Sequence, residues 1–181
     1  MTDEALVSLA EAEGLYAAMI DPIDIPVNAD FRMCCAENRC GKYGANYSCP
    51  PDCGTPEQMH ARIFSQDRAM IIESIWPISG FDDRESVQTA KQYHNAAVLR
   101  IMDQVRKAGH HGFAAGYNGC PLCNPCKCVL GEPCAFPDKR ISCLSAYCVD
   151  VAKLADLCGL PFAWSQDELH LFGMIAIGKE V

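Results

Sequence analysis

A chain of 181 residues, 50% hydrophobic and 21% charged, carries enough apolar material for a core, which excludes wholesale disorder and predicts one domain over 1–181. Its net charge of -8, with Lys and Arg scattered along the chain, speaks against nucleic acid, whose phosphates need clustered cations. Thirteen cysteines behind an acidic, leaderless start, with no apolar run of the roughly 18–20 residues that span a bilayer, predict no membrane partner, a reducing cytoplasm and metal ligation over a disulfide scaffold.

In chain order, Leu6, Leu9, Ala10, Leu15 and Ala18 predict a helix over 3–19. DPIDIPV (21–27) is broken by prolines and is left as an edge strand or extended run. Residues 30–55 read as a Gly-, Pro- and Asn-rich loop. TPEQMHARIFSQ (55–66) starts a helix, with Thr55 as N-cap and Pro56 at the first helical position. RAMIIESIWPI (68–78) predicts a strand.

A long helix follows over 82–108, with Asp82 and Glu85 at capping-box spacing and Gly109 just past its end. His94 falls on its apolar stripe with Val87, Ala90, Ala97, Val98, Ile101 and Val105, which predicts a core histidine with a satisfied ring nitrogen. GFAAGY (112–117) is a short strand, VDVAKLADLCGL (149–160) a helix and ELHLFGMIAIG (168–178) a closing strand. The alternation predicts an α/β fold, with α+β as the alternative. It is a small mixed sheet flanked by helices, with cysteine-rich cluster loops at about 34–53 and 119–148.

Cys120, Cys123 and Cys126 form a C-x-x-C-x-x-C run, whose short gaps let a tight loop turn three thiolates toward one centre. That is the first part of the bacterial ferredoxin pattern. Cys134, in GEPC, is the expected fourth ligand; Cys128 is the alternative, although one intervening residue points neighbouring side chains apart. In two-cluster ferredoxins the last cysteine serves the other cluster, so crossed ligation stays open. Zinc is the runner-up, but structural zinc more often uses two pairs separated by a dozen or more residues.

Cys35, Cys40 and Cys49 form the first group, spaced C-x4-C-x8-C, with Cys53 and Cys34 as candidates for its fourth ligand. Cys143 and Cys148 are candidates for a further site with Cys128, whereas Cys158, among Leu154, Leu157 and Leu160, reads as a buried hydrophobe. Lys42, Tyr43, Tyr47 and Asp52 lie near the first group; solvated loop residues are their simpler reading.

The ordered set CGKYGANYSCPP (40–51), GCPLCNPC (119–126), GEPC (131–134) and AYCVDVAKLA (146–155) resembles a family of prokaryotic predicted metal-binding proteins, domain-of-unknown-function family 2284. The resemblance covers nearly the whole chain. It implies metal binding, iron–sulfur in kind, mostly in anaerobes, without an assigned reaction. It implies ligand roles for Cys40, Cys49, Cys120, Cys123, Cys126 and Cys134, and for Cys34 or Cys35, of which spacing favours Cys35. The chain departs from the family pattern at Cys143 and Cys148, where other members more often carry Ser and Gly.

The expectation is therefore two [4Fe–4S] clusters serving electron transfer to a redox partner protein, or a redox accessory role. One alternative is an enzyme whose first cluster keeps an open iron, because that group lacks an unambiguous fourth cysteine. The other is a zinc-binding structural or metal-delivery module. No P-loop, G-x-G-x-x-G or nucleophile elbow is present, and no cysteine run has the CX3CX2C spacing of radical-SAM enzymes.

Overall fold

The computed structural model describes residues 1–178. Thr2 accepts a hydrogen bond from the Ala5 N–H and opens α1 (Asp3–Ala12). Gly14, at φ +75°, ends that helix, and the chain returns as the edge strand β1 (Tyr16–Ile20). The helix expected over 3–19 is thus two elements. Its apolar spacing beyond Gly14 also suits strand alternation, and Ala17 and Met19 face one core while Ile20 faces the other.

DPIDIPV forms a 3-10 turn at Pro22–Asp24 and one bridge, Val27 to Val149. Within the expected loop the structure inserts a five-residue helix, α2 (Arg32–Ala36), which carries Cys34 and Cys35. α3 (Pro56–Phe64) starts as expected: Thr55 accepts from the Gln58 N–H, and the Gln58 side chain accepts from the Thr55 N–H. β2 (Arg68–Pro77) leads to α4 (Arg84–Lys107), whose N-cap is Asp83, one residue beyond the expected Asp82, accepting from the Ser86 N–H. β3 (His111–Gly116), a two-residue β4 (Ser142–Cys143), α5 (Val151–Cys158) and β5 (Glu168–Gly178) complete the chain.

The strands form one mixed sheet in the order β1-β2-β5-β3-β4, antiparallel except for β3 and β4. α1 and α4 cover one face, where Leu6, Val98, Ile101 and Met102 meet Met70, Ile72 and Ile175. α3, α5 and the turn at 144–147 cover the other, packing Met59, Ile63, Leu154 and Tyr147 on Ile71, Phe113 and Met174. Central strands covered on both faces read as continuous apolar runs, which is why β2 and β5 stand out in the sequence. Cys158, expected to be buried, is half-buried and packs at the edge of this second core. Among the described residues, no helix is long and apolar enough to cross a membrane.

His94 is fully buried under the sheet, with Nδ1 2.8 Å from the Ser74 hydroxyl. Burial lowers its pKa from 6.5 to about 4, only partly opposed by the Phe172 backbone. The folded chain therefore resists protonation that the unfolded chain accepts, and stability falls as pH drops from about 6.5 through about 4. Between pH 7 and pH 5 this costs about 2 kcal/mol. Denaturant unfolding at the two pH values should show His94→Gln losing that much less than the wild type; equal acid slopes would rule the effect out.

Candidate metal centres

The first centre is built where β3 runs out of the sheet. β4 pairs there in parallel, setting Cys143 opposite Gly116. A cavity of about 280 Å³ opens beside this pair. It is lined by Cys34 and Cys35 from α2, Cys40 and Cys49 from the following loop, and Cys143 from β4, with Tyr43, Tyr117, His170 and Phe172 around them. Burial, then the neighbouring Cys143 thiol, pushes Cys35 up to about 11. The same two causes, in the same order, raise Cys49. Burial also raises Cys143, but the N–H groups of Ala146 and Gly119 point at its sulfur and oppose the rise. Donors of this kind stabilise a thiolate and tune a metal it binds.

Cys120, Cys123, Cys126 and Cys134 line a second, much tighter cavity of about 10 Å³. Burial and the thiols of Cys120, Cys126 and Cys134 raise Cys123. Burial alone would raise Cys126 too, but the N–H groups of Cys128, Tyr47 and Lys127, with the Cys128 thiol, hold it below the usual thiol range. Cys128 itself lies outside that cavity. Its thiol is pushed up to about 11, first by burial and then by its bond to Cys126.

The two cysteine loops interlock. Residues 46–48 of the first loop line the second cavity, and residues 116–118 line the first. The Asn46 amide donates to the Cys120 carbonyl at 3.0 Å, the Tyr47 hydroxyl to the Glu132 carbonyl at 2.7 Å, and Arg140 to the Tyr47 carbonyl at 3.2 Å. Gly119 is the hinge between them. Its φ is +74°, and a Cβ there would lie 2.9 Å from the Cys49 sulfur. Glycine tolerates both the left-handed backbone and the close approach.

Of the two candidates for a fourth ligand to the first group, Cys34 lines the cavity but is exposed, and Cys53 is elsewhere. Cys53 sits 3.6 Å from the Arg32 guanidinium, which also donates to the Ala146 carbonyl at 2.9 Å and bonds the Cys148 thiol. Cys148 is fully buried beside it. Cys128, Cys143 and Cys148 are not gathered into one site: Cys128 lies by the second group, Cys143 by the first and Cys148 by Arg32. Lys42 and Asp52 line neither thiol cavity, whereas Tyr43 lines the first and Tyr47 the second.

Sequence reasoning passed over a buried acid–base pair in the wall of the first cavity. His170 Nδ1 lies 2.6 Å from Glu73 Oε1, and both side chains are almost wholly enclosed. Burial raises the Glu73 carboxyl, and His170 opposes it. Strand alternation was the available signal: Glu73 and His170 sit on the same sheet face as Ile71 and Phe172. Among the described residues, no three His, Cys, Asp or Glu side chains converge on a point as donors to a single ion do.

Residues 18–177 match the model of a family described as "Predicted metal-binding protein (DUF2284)". No curated protein and no solved structure matches the chain.

Proposed function

The chain belongs to that family of predicted metal-binding proteins, and we propose that it holds two [4Fe–4S] clusters and relays single electrons to and from a partner protein. We assign Cys35, Cys40, Cys49 and Cys143 to the first cluster and Cys120, Cys123, Cys126 and Cys134 to the second. The observation carrying this reading is the sorting of the clustered thiols into two separate cavities, the first bordered by five cysteines and the second by four. Cys34 is left out because it sits about 100° around a short helix from Cys35, and its thiol does not bear on Cys35, Cys49 or Cys143, whereas that of Cys40 bears on all three.

The first cavity supports a polynuclear group over a single ion. Four thiolates hold zinc directly at roughly 2.3 Å and leave no space between them, whereas these sulfurs border about 280 Å³. Bound there, a cubane supplies reversible one-electron chemistry. The chain's own part is to place the thiols, to aim N–H groups at Cys143 and Cys126, and to keep the two sites side by side. A fourth sulfur from β4 also weakens the open-iron enzyme reading, which drew on the lack of one. An electron carrier of this kind fits the reducing cytoplasm and a redox protein as partner.

The tightness of the second cavity, about 10 Å³, favours one other reading: zinc in the second site beside a single cluster. Metal and sulfide analysis after anaerobic purification separates the two. About eight irons per chain, with matching sulfide and two reducible paramagnetic signals, are expected for two cubanes. About four irons with one zinc would replace the two-cluster reading by the mixed one. A colourless zinc protein would sink both.

A further inference from the structure

At the opposite end of β3 from the first thiol cavity lies a wide cleft of about 630 Å³ with a basic lining. Arg62 reaches it from the last turn of α3, Arg106 from the last turn of α4, and Arg140 from the loop before β4. His110 and His111 add two imidazoles at the start of β3, and Asp138 is the acidic residue in the wall. This gathering stands out in a chain of net charge -8.

Basic residues in a helix's last turn suit the helix dipole, so Arg62 and Arg106 taken singly need no ligand. The dipoles do not explain why Arg140, from a loop, faces the same space. Nor do ion pairs absorb the charge. Among the described residues no carboxylate pairs with Arg62 or Arg140, and Arg106 meets only the half-exposed Asp103 at 3.6 Å. All three guanidiniums are half-buried and held in place. Arg62 lies 4.3 Å over the Phe113 ring, Arg106 donates to the Asp138 carbonyl at 2.7 Å, and Arg140 to the Tyr47 carbonyl at 3.2 Å. Pre-set guanidinium forks with few counter-charges in a ligand-sized cleft are the usual means of holding phosphate or carboxylate oxygens.

We propose that this cleft binds a small molecule bearing clustered oxyanions, a phosphate ester or a polycarboxylate. Arg140 lines the second thiol cavity as well, so the bound anion lies next to the second metal centre. The proposal stands whichever metal that centre holds.

Calorimetric titration of the full, metal-loaded chain with pyrophosphate and, separately, with citrate tests it. At least one probe should bind saturably, one per chain, with a dissociation constant of about a millimolar or tighter; which one binds separates the phosphate from the carboxylate source. Arg62→Gln and Arg106→Gln should each weaken binding about tenfold, as loss of a charge-assisted contact does. Arg84→Gln, at the far end of α4, should leave it unchanged. Absence of saturable binding by both probes to the wild type would overturn the proposal and leave the cleft to an acidic protein surface. So would binding that is indifferent to Arg62 and Arg106.

Discussion

If the chain holds two cubanes as proposed, Cys143→Ser should lower its iron from about eight atoms to about four and abolish one of two reduced-state paramagnetic signals. Cys53→Ser and Cys34→Ser, made separately, should keep both. The contrast follows from position. Cys143 shares a cavity with Cys35, Cys40 and Cys49, and its thiol bears on both Cys35 and Cys49. Cys53 points to Arg32, and the Cys34 thiol bears on none of Cys35, Cys49 and Cys143. Serine is nearly isosteric with cysteine, but it replaces a soft thiolate with a hydroxyl that stays protonated near neutral pH. The second cavity keeps its four cysteines in every variant. Full iron in Cys143→Ser would count against the assignment, and loss in Cys53→Ser would move the fourth ligand there.

Removing the metal with a chelator and reductant should open the two cysteine loops while the sheet stays folded. The sheet has two apolar cores of its own, and β2 and β5 are buried on both faces. The loops have little of this kind. Within 34–53 the buried residues are Asn46, Ser48, Cys49 and Pro50, and within 119–140 only Gly119. Chain segments with so few apolar contacts sit at the low end of local stability unless something ties them down, and metal binding can supply about 10 kcal/mol to such a segment. Hydrogen exchange should show amides in 34–53 and 119–140 losing protection by a hundredfold or more, about 3 kcal/mol. Amides of β2, β5 and α4 should change little. A uniform loss along the whole chain would mean that metal supports the global fold, and no change in the loops would mean that they hold themselves.

The parts of the molecule readable in advance are those whose signals are local. β2 and β5 declare themselves as isoleucine-rich runs, and Thr55-Pro56 marks the start of α3. The C-x-x-C-x-x-C run and Cys134 fall in one cavity because a short loop joins them. What escaped is non-local. YAAMI (16–20) is small and apolar enough to suit a helix, and only pairing with β2 makes it a strand. β4 is two residues long, so nothing in ISCLS announces that Cys143 will lie beside Gly116 and so near the first group. Glu73 and His170 are 97 residues apart and meet only through the β2–β5 register.

The interlocking of the two loops bears on how the protein can be built and rebuilt. Because Asn46 and Tyr47 wall the second cavity and residues 116–118 wall the first, neither loop is a cassette that can be cut out, grafted or swapped alone. A rearrangement of one loop therefore reshapes part of the wall of the other's cavity. Insertions in one loop will be felt in the other's cavity, and exchange between relatives will succeed only when both loops travel together.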